Sequence, residues 1–213
     1  MEKTTDLRIR IIEGFSSNGC PLCTMLRQDE FDSLCQWVGC SDNSTEESVQ
    51  IRKLTDAGGF CNYHFWRFQE MSTPYGCANI CAQLIDKLLG IPRTDKQKAS
   101  RFIACPLCVE LREKESVYLR ELSVVLKHNE YKLRYGKSCG LCIPHYTQTI
   151  DYIDDSFLLT FLYETQVAQL EKVKADAASF VNKRQPPLRW EQTDDERISW
   201  FRAIEKIVGR SGT

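Results

Sequence analysis

Cys20-Pro21-Leu22-Cys23 and Cys105-Pro106-Leu107-Cys108 are one phrase written twice, and each is answered downstream by a Cys-x-x-His. In the first copy Gly59-Phe60-Cys61-Asn62-Tyr63-His64 places Cys61 38 residues after Cys23; in the second, Gly140-Leu141-Cys142-Ile143-Pro144-His145 places Cys142 34 residues after Cys108. Each half thus offers three thiols and one imidazole, the ligand set of a closed tetrahedral Cys3His zinc site. Cys20 to Arg27 (CPLCTMLR) and Cys105 to Arg112 (CPLCVELR) agree at six of eight positions. The offset is 85 residues at the CPLC pair and 81 at the Cys-x-x-His pair, a difference of about one helical turn. This is an internal duplication, and it organises the rest of the chain.

Everything around the two phrases reads as helix. Proline directly after Cys20 and Cys105 suits the first helical position, where an N–H has no intrahelical partner. The spacing predicts helices over 4–16, 21–38, from a Ser44–Glu47 capping box to Gly58-Gly59, from Cys61 to Met71, and from Pro74 to Leu89. After a polar, breaker-rich stretch at 91–100, the plan repeats. Helices are expected over 106–127 (Leu111, Tyr118, Leu119, Leu122, Val125 and Leu126 on one face), 129–136, from Cys142 onward, and 155–183. Gln185-Pro186-Pro187 breaks the chain. A Thr193–Glu196 capping box then opens a last amphipathic helix with Trp200, Ile204, Ile207 and Val208 on one face. The expected fold is all-α: two pseudo-symmetric repeats organised around Cys3His sites, over 1–90 and 91–185, and a C-terminal linker and helix over 186–213. Spacing alone leaves the pairing open, within a repeat or crossed, with Cys20-Cys23 meeting Cys142-His145.

The local chemistry suits a metal. With Cys20 as N-cap and Cys23 at the third helical position, both thiolates gain from the helix dipole and from unpaired N–H groups of the first turn. Cys61 with His64, and Cys142 with His145, repeat the i, i+3 spacing. Zinc is the first reading and a [4Fe–4S] cluster the alternative for Cys20, Cys23, Cys61, His64, Cys105, Cys108, Cys142 and His145. A catalytic zinc keeps a coordination position open, whereas four side chains per site close it, so the reading favours a non-catalytic protein. Cys35, Cys40, Cys77 and Cys81 read as small core residues, Cys139 as a spare thiol whose counterpart is Gly58, and His128 as a surface residue.

Composition agrees with a soluble, cytosolic protein. The chain has 213 residues, 42% hydrophobic and 27% charged, and a net charge of -1, which gives no global pull toward nucleic acid or anionic membrane. No apolar run is long enough for a membrane span, and MEKTTDLRIRIIEGF has no export-signal pattern. Eleven cysteines in Cys-x-x-Cys and Cys-x-x-His arrays fit metal binding in a reducing compartment better than a disulfide scaffold. Lys127, Lys132, Arg134 and Lys137 alternate with Tyr131 and Tyr135, but Glu130 interrupts them, and a solvated face is preferred to nucleic-acid binding. A protein partner is the expected ligand of the helical surface, at 91–100, 106–127 or the terminal helix; no feature fixes an oligomeric state.

The paired CPLC and GFCNYHF phrases with the terminal Trp200–Gly209 segment WFRAIEKIVG resemble an uncharacterised family of bacterial and archaeal proteins defined by repeated CPxC and GFCxxH motifs. The resemblance extends over most of the chain. It implies the same eight Cys and His positions as shared ones and supplies no activity. The second copy departs from the motif at Leu141, where the first has Phe60, and at Pro144 before the histidine.

Overall fold

A computed structural model describes residues 2–42, 47–90 and 105–210, and no strand occurs among them. The helices are α1 (Glu2–Gly14), α2 (Pro21–Asp42), α3 (Glu47–Asp56), α4 (Asn62–Met71), α5 (Pro74–Leu89), α6 (Pro106–Val125), α7 (Asn129–Gly136), α8 (Ile143–Ile150), α9 (Ser156–Asn182), α10 (Asp194–Arg197) and α11 (Ser199–Val208). A 3-10 turn over Leu188–Glu191 follows the proline break. The all-α expectation holds, with boundaries close to those the punctuation residues set. Ser44 of the expected capping box and the 91–100 stretch lie outside the described residues. No described helix is long and apolar enough to cross a membrane.

The chain forms two compact units whose boundaries are not those of the sequence repeats. One comprises residues 1–26 and 115–213, the other 27–114, so both boundaries fall inside helices, α2 and α6. In the larger unit the core gathers Ile11, Phe15, Leu22, Leu119, Leu122, Leu126, Tyr135, Leu141, Leu158 and Leu162. Tyr135 is fully buried, edge-on to Phe15 at 5.5 Å, which removes it from any base-stacking face. In the smaller unit Leu34, Leu54, Phe60, Phe68, Ile80, Leu84 and Leu107 form the core together with Cys105. Each such Leu, Ile or Phe contributes about 1.5–3 kcal/mol by leaving water.

Three details depart from the sequence reading. Cys35 is exposed, and Cys40, Cys77 and Cys81 are half-buried, so none of the four is a fully buried core residue; Cys77 packs at the edge of the smaller unit's core. The terminal segment is two helices: Thr193 caps α10, which ends at Arg197, and Ile198 stands between it and α11. The apolar face of α11 also points outward. Trp200, Phe201, Ile204, Ile207 and Val208 are about half exposed or more, whereas Ser199, Glu205 and Lys206 are buried.

Candidate metal centres

Four helices begin at a cysteine of the duplicated phrases. Cys61 and Cys142 are the N-cap residues of α4 and α8, and Cys20 and Cys105 immediately precede Pro21 and Pro106 of α2 and α6. In each case the cysteine carbonyl accepts the first helical hydrogen bond: Thr24 N–H to Cys20 at 3.0 Å, Phe65 to Cys61 at 2.9 Å, Val109 to Cys105 at 3.1 Å and Tyr146 to Cys142 at 2.8 Å. The i, i+3 ligand therefore lies one turn along, on the same side as the cap.

The eight predicted ligands come together in two groups, and the pairing is crossed. Centre I is Cys20, Cys23, Cys142 and His145; centre II is Cys61, His64, Cys105 and Cys108. Each takes its CPLC pair from one repeat and its Cys-x-x-His pair from the other. This corrects the expectation that each repeat is organised around its own site. The reason lies in α2 and α6, which begin in one compact unit and run into the other.

The two groups have nearly the same shape. In centre I, His145 Nδ1 lies 3.4 Å from Cys20 Sγ, 3.3 Å from Cys23 Sγ and 3.2 Å from Cys142 Sγ, and Cys23 and Cys142 are 3.7 Å apart. In centre II, His64 Nδ1 lies 3.3 Å from Cys61 Sγ, 3.4 Å from Cys105 Sγ and 3.3 Å from Cys108 Sγ, and Cys61 and Cys108 are again 3.7 Å apart. Both histidines are buried. All four ligands of centre I are buried, while Cys61 and Cys108 of centre II are half-buried.

Each imidazole turns its other nitrogen to a carboxylate. His145 Nε2 is 3.2 Å from Glu115, which also accepts from Gln148 at 3.2 Å. His64 Nε2 is 3.3 Å from Glu30 Oε1, at ion-pair distance but without the alignment of a hydrogen bond. Such a carboxylate fixes which nitrogen faces the metal and raises its basicity. Sequence reasoning missed both residues, although a signal was present. Glu30 stands ten residues after Cys20, and Glu115 ten residues after Cys105. Each CPLC helix thus gives two thiols to one centre and, two turns further on, a carboxylate to the histidine of the other.

Proton affinities within the clusters are mutually displaced. Burial works against imidazolium, yet the Cys105 sulfur and the Glu30 carboxylate prevail and hold His64 up at about 10. His145 is held up at about 12 against burial by Cys20, Cys23 and Glu115. Cys23 is pushed far down, chiefly by its contacts with Cys142 and Cys20. Burial opposes the Cys105 thiolate, but His64 and the backbone N–H groups of Cys61 and Cys108 bring it to about 6. Burial and the neighbouring sulfurs push the Cys20 and Cys108 thiols up, so each cluster divides its protons unevenly among donor atoms that converge on one point, and a divalent cation at that point would displace them. Two Cys3His groups of this kind could each bind one metal ion.

The approach to each Cys-x-x-His differs. Gly59 and its counterpart Gly140 both take the left-handed conformation, at φ 93° and 65°. In centre II the next residue, Phe60, packs against Trp37, Phe65 and Phe68 with ring centroids 5.5–6.0 Å away. In centre I Leu141 sits there instead, and its carbonyl accepts from Lys206 Nζ at 2.8 Å and Gln166 Nε2 at 3.1 Å. Gln169 Nε2 donates to the Ser138 carbonyl at 3.0 Å. Burial lowers the proton affinity of Lys206, while the sulfurs of Cys20, Cys139 and Cys142 act to keep it charged. The sequence reading assigned none of Gln166, Gln169 or Lys206 to a site.

Residues 2–100 match the model of a family of unknown function, DUF6062. The match spans Cys20, Cys23, Cys61 and His64 and ends before Cys105, so it is shorter than the sequence resemblance implied and contains no complete centre. No curated protein and no solved structure matches the chain.

Proposed function

We propose that this is a cytosolic, non-catalytic interaction protein whose helices are fixed by two structural zinc ions, one in each Cys3His group. The observation that carries the reading is the size of the groups. Zinc–sulfur bonds of about 2.3 Å and zinc–nitrogen bonds of about 2.0 Å give a tetrahedron with edges of roughly 3.8 Å between sulfurs and roughly 3.5 Å from sulfur to nitrogen. The corresponding separations here are 3.7 Å and 3.2–3.4 Å. A [4Fe–4S] cluster, the alternative, binds its four ligands on four different irons and would hold the sulfurs roughly 6 Å apart. The donor set also fits zinc: three thiolates and a neutral imidazole backed by a carboxylate. When bound, the metal supplies cross-links between helix N-termini, and four protein ligands leave no position for substrate. Elemental analysis of protein purified anaerobically without chelators tests the reading. Two zinc ions per chain are expected; two brown, reducible clusters would replace it with electron transfer or redox sensing, and less than half a metal per chain would remove both.

The interaction surface in this reading is the outward face of α11, and the occupant we assign to it is a second copy of the chain. Arg202, Glu205 and Lys206 are all directed into the protein, to Asp176 and Asp195, to Arg210, and to Leu141. The outward face therefore carries no charge to attract an acidic or basic partner, or to repel its own image. Trp200, Phe201, Ile204, Ile207 and Val208 expose on the order of 600 Å² of apolar surface, against the ~800 Å² per partner of a standard interface. Sedimentation at tens of micromolar is expected to show a dimer that Ile204→Glu dissociates. A monomer at that concentration would rule the pairing out.

A further inference from the structure

We propose that Cys139 is a peroxide-reactive thiol that forms a disulfide with Cys142 and so dismantles centre I while leaving centre II intact. The proposal rests on the zinc reading for its consequence, and on the spacing and shared cavity of the two thiols for the disulfide. Cys139 lies three residues before Cys142, is half-buried, and belongs to neither ligand group. It opens onto a cavity of about 310 Å³ that is also lined by two metal-facing cysteines, Cys20 and Cys142. That volume is ample for a molecule as small as hydrogen peroxide. Lys137, Lys172, Arg202 and Lys206 line the same cavity with Glu205; Asp195 pairs with Lys172 and Arg202, and Asp176 with Arg202, which leaves the basic groups in excess. Reactive thiols occur in such electropositive, partly exposed surroundings, whereas fully buried thiols are inert.

The second copy of the phrase provides an internal control. The counterpart of Cys139 is Gly58, so centre II has no free thiol three residues before its Cys-x-x-His. A disulfide needs Cα atoms about 4.4–6.8 Å apart, and only Gly140 and Leu141 separate the two cysteines. The electrons balance between thiols and peroxide alone, since zinc is not redox-active. The Cys139 thiolate attacks hydrogen peroxide, breaking the O–O bond, and becomes a sulfenic acid while hydroxide leaves. The Cys142 thiolate then attacks the sulfenic sulfur, expelling a second hydroxide and closing the S–S bond, and can no longer serve as a metal ligand. The two thiolates are oxidised by two electrons and the peroxide is reduced by two. Centre I is left with Cys20, Cys23 and His145, an open set from which zinc exchanges.

The test uses the full, zinc-loaded chain titrated with hydrogen peroxide. Released zinc is read with a chelating dye, and disulfides are mapped by mass spectrometry after alkylation. The expected result is release of about one zinc per chain with a Cys139–Cys142 disulfide, reversed by dithiothreitol, and release about 10-fold slower in Cys139→Ser. Cys139→Ala, which keeps every ligand, should match the serine variant. Release of both zinc ions together, equal release in the variants, or a first disulfide that omits Cys139 would overturn the proposal. If the chain holds no zinc, disulfide mapping still decides: Cys139–Cys142 as the first pair supports the reactive thiol, and any other pair refutes it.

Discussion

Centre I and centre II are built from the same duplicated phrases to nearly the same dimensions, yet the protein secures their approaches by different means. Centre II rests on apolar packing. Phe60 lies among three aromatic rings, and the Glu30 carboxylate stands beside His64 in a nearly water-free interior. Centre I rests on polar clamps. Leu141 is held through its carbonyl by Lys206 and Gln166, and the partly exposed Glu115 is shared between His145 and Gln148. One changed side chain, Phe60 to Leu141, marks the divergence: where the ring is gone, hydrogen bonds from α9 and α11 hold the turn. An apolar setting is stable but tolerates no unpaired charge, whereas a polar clamp depends on several partners at once.

The largest expected effect comes from removing a ligand. Cys20→Ser should reduce zinc from two to one per chain and loosen residues 1–26 and 115–213, and Cys61→Ser should do the same to 27–114, each seen by elemental analysis and hydrogen exchange. Structural zinc contributes on the order of 10 kcal/mol to folding in small modules. Cys35→Ser, at an exposed position, should shift stability by no more than about 0.5 kcal/mol. Equal losses in all three variants would end the ligand assignment.

Next come the carboxylates behind the histidines. Glu30→Gln and Glu115→Gln should each weaken zinc retention at one centre by about 10–100-fold in a chelator competition. Glu30→Gln should reduce it more, because Glu30 is more deeply buried. Identical effects would mean that burial does not separate the centres.

The two left-handed glycines sharpen the contrast further. A methyl group at Gly140 would fall on the Gln169 amide, while one at Gly59 would meet the Leu84 side chain at 3.2 Å and the Phe65 ring at 3.5 Å. Both alanine variants carry about 1–2 kcal/mol of backbone strain. Gly140→Ala should cost more in thermal stability, since it also displaces the amide that holds Ser138. Equal costs would show that the polar clamp is not tight.

The smallest effect concerns the α10 capping box. The Ser179 hydroxyl, the Lys183 ammonium and the Thr193 N–H hold the Glu196 carboxyl down at about 2. A depressed carboxylate adds stability above its unfolded range, and that stability is lost as pH falls from about 4.5 toward 2. Glu196→Gln should flatten this part of the pH–stability curve, and an unchanged acid limb would show that the box adds nothing.

Much of this was legible in the chain. Proline after Cys20 and Cys105, glycine pairs before Cys61, and the Thr193–Glu196 box mark helix ends locally, so the element boundaries follow from sequence. Pairing was not legible, because it depends on where α2 and α6 lead after their first turns, which no local residue states. Glu30 and Glu115 were hidden among ordinary surface-type acids, although their matched register to Cys20 and Cys105 was a usable clue. The inversion of α11 was hidden for a related reason: amphipathicity locates a face but not its direction. Only partners distant in sequence, such as Leu141 for Lys206, turn the polar side inward.

The exchange of ligand pairs between repeats is tested most directly by loading the protein with cadmium-113, which takes zinc's place and couples to the β protons of the cysteines it binds. Crossed pairing predicts one cadmium correlated with Cys20, Cys23 and Cys142 and another with Cys61, Cys105 and Cys108. A cadmium correlated with Cys20, Cys23 and Cys61 together would contradict it.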